Sequence, residues 1–126
     1  MGAILGIGVD VVDVKRMKVA LDAWGVRLTK KMFTDREIAY CHSKKKPHEH
    51  FGARFAAKEA VSKAMRTGWS GKFRWRDVEI SNDASGAPKV ILYDYVAEQL
   101  AQCEVHISIS HTENTVVAFA IIEKKE

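Results

Sequence analysis

Residues 48–66 turn alanine-rich, and at 100° per residue Ala53, Ala57, Ala60 and Ala64 share one narrow face. A long helix with so smooth a stripe can lie close against a sheet, and Gly68 marks its end. The chain supplies strands for that partner. Residues 3–12 (AILGIGVDVV) are aliphatic and β-branched and read as a buried strand, in which Gly6 and Gly8 allow another backbone or a ligand to approach closely. Residues 105–110 alternate strictly, with Val105, Ile107 and Ile109 on one side and His106, Ser108 and Ser110 on the other. Further strands are predicted at 73–80, at 88–92 after the Ala84-Ser85-Gly86 turn, and at 115–123 after a turn at 111–114. Asp13 is placed to cap a helix bearing Val14, Met17, Leu21 and Trp24, which Gly25 ends. Thr34 with Glu37 three residues later opens another helix through about Cys41, and one more is predicted near 93–102. The fold class is α+β: an antiparallel sheet packed against a long helix and smaller helices, in one domain spanning 1–126.

Composition removes several classes of function. A hydrophobic share of 47% against 29% charged is a globular balance rather than a disordered one. The net charge of +4 comes entirely from residues 1–50, which hold ten basic and six acidic side chains, so an acidic partner is expected to dock there. The apolar run at 116–122 is far short of the about 20 residues that a membrane helix needs. Asp10 interrupts the only apolar stretch near the start, which argues against a signal peptide, and Gly6 stands where a myristoylation signal has Ser or Thr. Cys41 and Cys103 are isolated, so neither a disulfide framework nor a zinc site is indicated. The reading is a cytoplasmic, reduced protein with no membrane segment.

Five places carry chemistry, and each has a plainer alternative. Asp10, an acid in an apolar strand, either binds a metal or a partner group, or simply ends the strand and caps the next helix. Glu59 and Lys63, one turn apart, form either a solvated ion pair or part of a site. Arg54 and Lys58 are a like-charged pair at the same spacing, which a phosphate-bearing ligand would reconcile. His111 ends a strand beside Ser110, as a polar turn residue or a functional one; adjacency alone does not make the two a hydrolase dyad. His48-Glu49-His50 has a metal-like composition, but side chains two apart diverge on a helix.

Taken in order, GIGVDVVDVKRM (6–17), FT-x-x-E (33–37), RFAAKEAVSKAMRTG (54–68), the G-x-P turn (86–88) and SISHT (108–112) closely resemble the holo-acyl-carrier-protein synthases, the small bacterial-type 4′-phosphopantetheinyl transferases. The resemblance covers nearly the whole chain. It implies transfer of the phosphopantetheine arm of coenzyme A to a serine of apo acyl carrier protein, with release of adenosine 3′,5′-bisphosphate. It also implies dependence on Mg²⁺ and a homotrimer with active sites between subunits. By the same resemblance Asp10 and Glu59 match the metal-binding carboxylates, Lys63 the lysine near the reacting phosphate, and His111 the histidine near the coenzyme. Arg16 and Arg27 match contacts to the carrier protein. With that ligand, Arg54 and Lys58 are expected on the coenzyme phosphates, and the basic residues of the first fifty on the acidic helix of the carrier. The serine proton can go to Glu59, His111 or a water on the metal.

Two features depart from the pattern. Larger two-domain relatives carry a second acid two residues after the first metal aspartate, where this chain has Val12, which puts a third protein ligand in doubt. The aromatic tract at 68–75 (GWSGKFRW) has no assigned role beyond a subunit boundary or the vicinity of the coenzyme. Two rival readings stand beside the transferase. One is a small basic nucleic-acid-binding module, although no RRM, KH or helix-turn-helix signature is visible. The other is a catalytically silent binding domain, against which the retained Asp10, Glu59 and Lys63 argue.

Overall fold

The computed structural model describes residues 2–66 and 72–126. Strand β1 (Ile4–Asp13) leads directly into helix α1 (Val14–Trp24), because the Asp13 carboxylate accepts the backbone N–H of Arg16 at 3.1 Å and satisfies one of the helix's orphan donors. Gly25 ends α1 with φ of 52°, a left-handed conformation that glycine adopts without Cβ cost. A short helix α2 (Val26–Met32) follows at once, and α3 (Asp35–His42) opens on the capping box read from the sequence. Helix α4 (Pro47–Ala64) starts with proline in its first turn, where no N–H is needed. After it come β2 (Val78–Asn82), β3 (Pro88–Leu92), α5 (Asp94–Gln99), β4 (Cys103–His111) and β5 (Thr115–Lys124).

The strands form two antiparallel sheets, one in the order β1-β5-β4 and the other the ribbon β2-β3. Helix α4 lies on the larger sheet, as the alanine stripe predicts. Gly8 pairs with Ala120 and Asp10 with Ala118, and Ala118 and Ala120 are fully buried against the helix. The approach is close enough that a side chain on β1 has no room. A Cβ on Gly8 would stand 1.9 Å from the Ala60 carbonyl oxygen, and one on Gly6 would stand 1.7 Å from that of Ala64. The neighbouring backbone named as one option for Gly6 and Gly8 is therefore α4 itself. Among the described residues, no helix is long and apolar enough to cross a membrane.

The strand expected at 73–80 is corrected. It begins only at Val78, and Trp75–Asp77 is a single 3₁₀ turn closed by the Asp77 N–H on the Arg74 carbonyl. Phe73, Trp75 and Asp77 are buried while Arg74 and Arg76 face outward, so a turn on the surface copies the period-two burial of a strand. Helix α2 was not read from the sequence, and α5 ends three residues before 102. The stop at Gly68 and the first part of the aromatic tract lie outside the described residues.

Candidate active site

Asp10 faces α4 from the edge strand β1, and the sheet register continues past it to Asp13. Since Asp13 does the capping, Asp10 is free of that task. The Lys63 ammonium donates to Asp10 Oδ1 at 2.9 Å and to the Val9 carbonyl at 3.1 Å, tying α4 to β1 across 53 residues of sequence. Glu59, one turn earlier on α4, is half-buried. Burial first, and then the negative charge of Asp10, raise its carboxyl above the ordinary range, while Lys63 pulls it back. Asp10, Glu59 and Lys63 thus share one electrostatic neighbourhood, with two acids and one base. Val12 is buried in the core, its Cγ1 3.7 Å from the place a Cβ on Gly52 would take, so no open ligand position exists there.

Lys58 requires a correction. Its side chain has no exposed surface; the ammonium pairs with Glu37 Oε1 at 2.6 Å and donates to the carbonyls of Val78 at 2.6 Å and Trp75 at 3.0 Å. All three donors are used inside the protein, so Lys58 does not face a coenzyme phosphate. Arg54 is also nearly buried: its Nη2 donates to Asn82 Oδ1 at 2.9 Å and its guanidinium lies 3.9 Å from the centroid of the Tyr40 ring. The like-charged pair is therefore reconciled by Glu37 on one side and by Asn82 and Tyr40 on the other, without a bridging anion. One donor of Arg54 is left over. Among the described residues its buried Nε has no hydrogen-bond partner, and the residue lines a cavity of about 200 Å³ with Tyr40, Ser81 and Asn82.

His111 ends β4 opposite Val116, on the side of the sheet that α4 covers. Its surroundings show in His50, whose imidazole is pushed below its ordinary value by burial and then by the positive charges of Arg54, Lys44 and His111. Lys44 and Arg54, with the imidazoles of His50 and His111, form a second neighbourhood near the start of α4. Arg16 and Arg27 are exposed on α1 and α2 among Lys15, Lys18, Lys30 and Lys31, all exposed as well. Arg16 also borders an apolar cleft of about 320 Å³ with Met17, Leu28, Met32 and Phe55.

Residues 6–120 match the family model of the 4′-phosphopantetheinyl transferase superfamily. The chain belongs to that superfamily. A holo-[acyl-carrier-protein] synthase of Protochlamydia amoebophila is 42% identical over 117 residues, which is 93% of this chain and 96% of the relative. The crystal structure of the Neisseria meningitidis holo-[acyl-carrier-protein] synthase matches with a TM-score of 0.88 at 34% identity, over 97% of this chain and all of that one. The Bacillus anthracis synthase, solved in complex with CoA (3′,5′-ADP), matches with a TM-score of 0.82 at 32% identity, over 97% and 98%.

Within this transferase fold several residues escaped the sequence reading. Lys44 lay in what reads as a solvated loop, His50 in a weak metal pattern, and Asn82 in a strand end with no local mark. A further cluster, with His106 Nε2 3.0 Å from Glu123 Oε1 and 3.9 Å from Glu104 Oε2, sits on the opposite, solvent-facing side of the sheet. Strict alternation along β4 already places Glu104 and His106 on one face; the cross-strand partner Glu123 is visible only in the register. A cavity of about 810 Å³ between Lys30, Arg36, Trp75 and Tyr93 is lined by none of the residues of either neighbourhood.

Proposed function

We propose that the chain transfers the 4′-phosphopantetheine arm of coenzyme A to a serine of apo acyl carrier protein and releases adenosine 3′,5′-bisphosphate. One observation carries this reading: Asp10, Glu59 and Lys63 meet at the β1–α4 junction in a chain of the phosphopantetheinyl transferase superfamily. In the reaction the serine oxygen forms a bond to the pantetheine-bearing phosphorus, the bond from that phosphorus to the bridging oxygen breaks, and its electron pair leaves with the nucleotide. The serine proton passes to a base, for which the protein offers Glu59 or His111.

The residues suit Mg²⁺. Two carboxylates from separate elements, each within the field of the other, form a hard oxygen donor set of the half-complete kind that Mg²⁺ takes beside phosphates. Asp10 and Glu59 would hold the ion, which when bound supplies charge neutralisation at the diphosphate. Lys63 adds a fixed positive charge at the same place, and phosphoryl-type transfer asks the protein chiefly for such positioning. Lys44, Arg54 and His111 suit the nucleotide phosphates, since an incoming oxygen would meet Arg54 Nε. Arg16 and Arg27, with their exposed basic neighbours, suit the acidic helix of a carrier protein. We place the enzyme in the cytoplasm as a homotrimer. The outer face of the larger sheet exposes Ile7, Val9, Val11 and Phe119, an apolar patch that a second copy would cover.

The direct experiment incubates the protein with coenzyme A, Mg²⁺ and an apo carrier protein and follows carrier mass. The expected result is a gain of one phosphopantetheine, and a loss of about 10²-fold or more in turnover for Glu59→Gln with circular dichroism unchanged. No gain under conditions where an established synthase modifies the same carrier overturns the reading. The nucleic-acid alternative predicts salt-sensitive retention of RNA or DNA on a filter with no coenzyme affinity.

A further inference from the structure

Helix α4 carries residues of both neighbourhoods, and something must fix its rotation. Toward β1 it presents the backbone of Ala60 and Ala64, which stands where a Cβ on Gly8 or Gly6 would be and whose side chains are too small to interlock with the strand. Such a surface sets how close helix and sheet come, but leaves rotation about the helix axis to side-chain contacts, the exposed Lys63 on β1 and the buried groups on the helix's other side. Lys58 lies about 200° from Ala60 at 100° per residue, on the far side of the helix. There its ammonium is held by acceptors from three separate parts of the fold: Glu37 of α3, Trp75 of the 3₁₀ turn and Val78 of β2. Glu37 is itself immobilised. Its Oε1 also accepts the N–H of Thr34, and its Oε2 accepts that of Ile80 at 2.9 Å. Behind it, Thr34 Oγ1 donates to Glu79 Oε1 at 2.7 Å and the Tyr93 hydroxyl to Glu79 Oε2 at 3.3 Å.

We propose that Lys58 is a positioning residue: through its buried pair with Glu37 it sets the rotation of α4, so that Glu59 and Lys63 meet Asp10 while Arg54 meets Asn82. This rests on the active-site reading given above. A buried ion pair is weak as a source of stability, since desolvation of both charges offsets most of their attraction, and its better-attested use is to specify one arrangement among several. Here the competing arrangement is close at hand. Lys58 precedes Glu59 directly and follows Arg54 by one turn, so a rotation of about 100° would exchange Lys58 for its neighbour and take Glu59 away from β1. The hydrogen bonds of Lys58 and Glu37 end on α3, the 3₁₀ turn and β2, and among the described residues none is made to α1 or α2, where Arg16 and Arg27 stand exposed.

That boundary gives the test its discriminating readout. Lys58→Met and the near-isosteric Glu37→Gln, whose single amide oxygen can still serve Lys58 and Thr34 but no longer Ile80, are compared with wild type well below the unfolding midpoint. The expected result is a fall in kcat of at least about tenfold and a rise of similar size in KM for coenzyme A, with KM for the carrier protein unchanged and Glu37→Gln milder than Lys58→Met. Folded variants with wild-type kcat and coenzyme KM overturn the proposal, as does an equal shift in KM for the carrier, which would mean general loosening. If neither variant folds, the pair is a stability element alone and the proposal fails. The active-site reading is judged separately, by wild-type transfer and by Glu59→Gln, and either outcome there is distinguishable from these.

Discussion

At the residue scale the controlling fact is that two carboxylates lie in the field of one ammonium. Asp10 takes the Lys63 contact at 2.9 Å, and Glu59 answers to burial and to the charge of Asp10 by holding its proton more tightly. Asp10→Asn removes the like charge and releases Lys63 from its partner, and both changes favour the ionised form of Glu59. Its titration should therefore move to lower pH in the metal-free protein, though not back to the ordinary range, because burial is the larger cause and persists. Carboxyl-carbon NMR across about pH 3 to 7 measures this, and a Glu59 titration unmoved by Asp10→Asn would place the two acids outside each other's field. Asp10 was legible in the sequence because an acid inside an aliphatic strand needs a reason. Lys58 was not: its burial depends on Glu37, on a different helix, and nothing within one turn of Lys58 distinguishes an inward lysine from a solvated one. The burial of Arg54 was hidden on the same ground, since its partners Asn82 and Tyr40 are distant in the chain.

At the scale of elements, what was readable was local. Asp13, Thr34 with Glu37, and Gly25 mark helix ends through contacts made within three or four residues, so the sequence carries the whole interaction. The failures were elements whose identity is decided elsewhere. The seven-residue α2 buries only Thr29 and Met32, too few positions to print a helical period. The 3₁₀ turn at Trp75–Asp77 wears a strand's alternation because its buried residues pack under α4, as in the stacking of Trp75 on Phe55 at 5.5 Å between ring centroids. The β1–α4 contact, legible as glycines facing a small-residue stripe, makes a quantitative prediction. Gly8→Ala places a methyl 1.9 Å from the Ala60 carbonyl, and the helix must retreat along its length. Because the obstacle is backbone rather than a flexible side chain, the cost should reach at least about 2 kcal/mol, at the upper part of the range for overpacking. Urea unfolding reads it as a lower midpoint at constant slope, and a change below about 0.5 kcal/mol would mean the two elements are not in contact at this spacing.

At the scale of the whole molecule the two neighbourhoods rise from different strands. Asp10 rises from β1 and His111 from β4, the two outer strands of the β1-β5-β4 sheet, with β5 between them. On the sheet's other face Ile7 and Val11 are about as exposed as surface polar residues, at 60% and 61%, and Phe119 stands between their strand and the serines of β4. An apolar face of this kind on a charged protein favours self-association. In the homotrimer proposed above, the carboxylates of one copy would face Arg54 and His111 of the next, and the site would be completed between copies. Neither property is written in any short stretch of the sequence, because both depend on strand order and register. The consequence is measurable by mixing. Glu59→Gln and Arg54→Gln should each be nearly inactive alone, yet after joint unfolding and refolding at equal amounts every mixed trimer should have one interface of its three that pairs an intact Glu59 with an intact Arg54, about a quarter of all interfaces. Activity should then rise well above the sum of the two separate variants, in step with the trimer fraction seen by sedimentation. A mixture no more active than its parts would mean that each copy works with its own Arg54, and the apolar face would have to be covered for some reason other than catalysis.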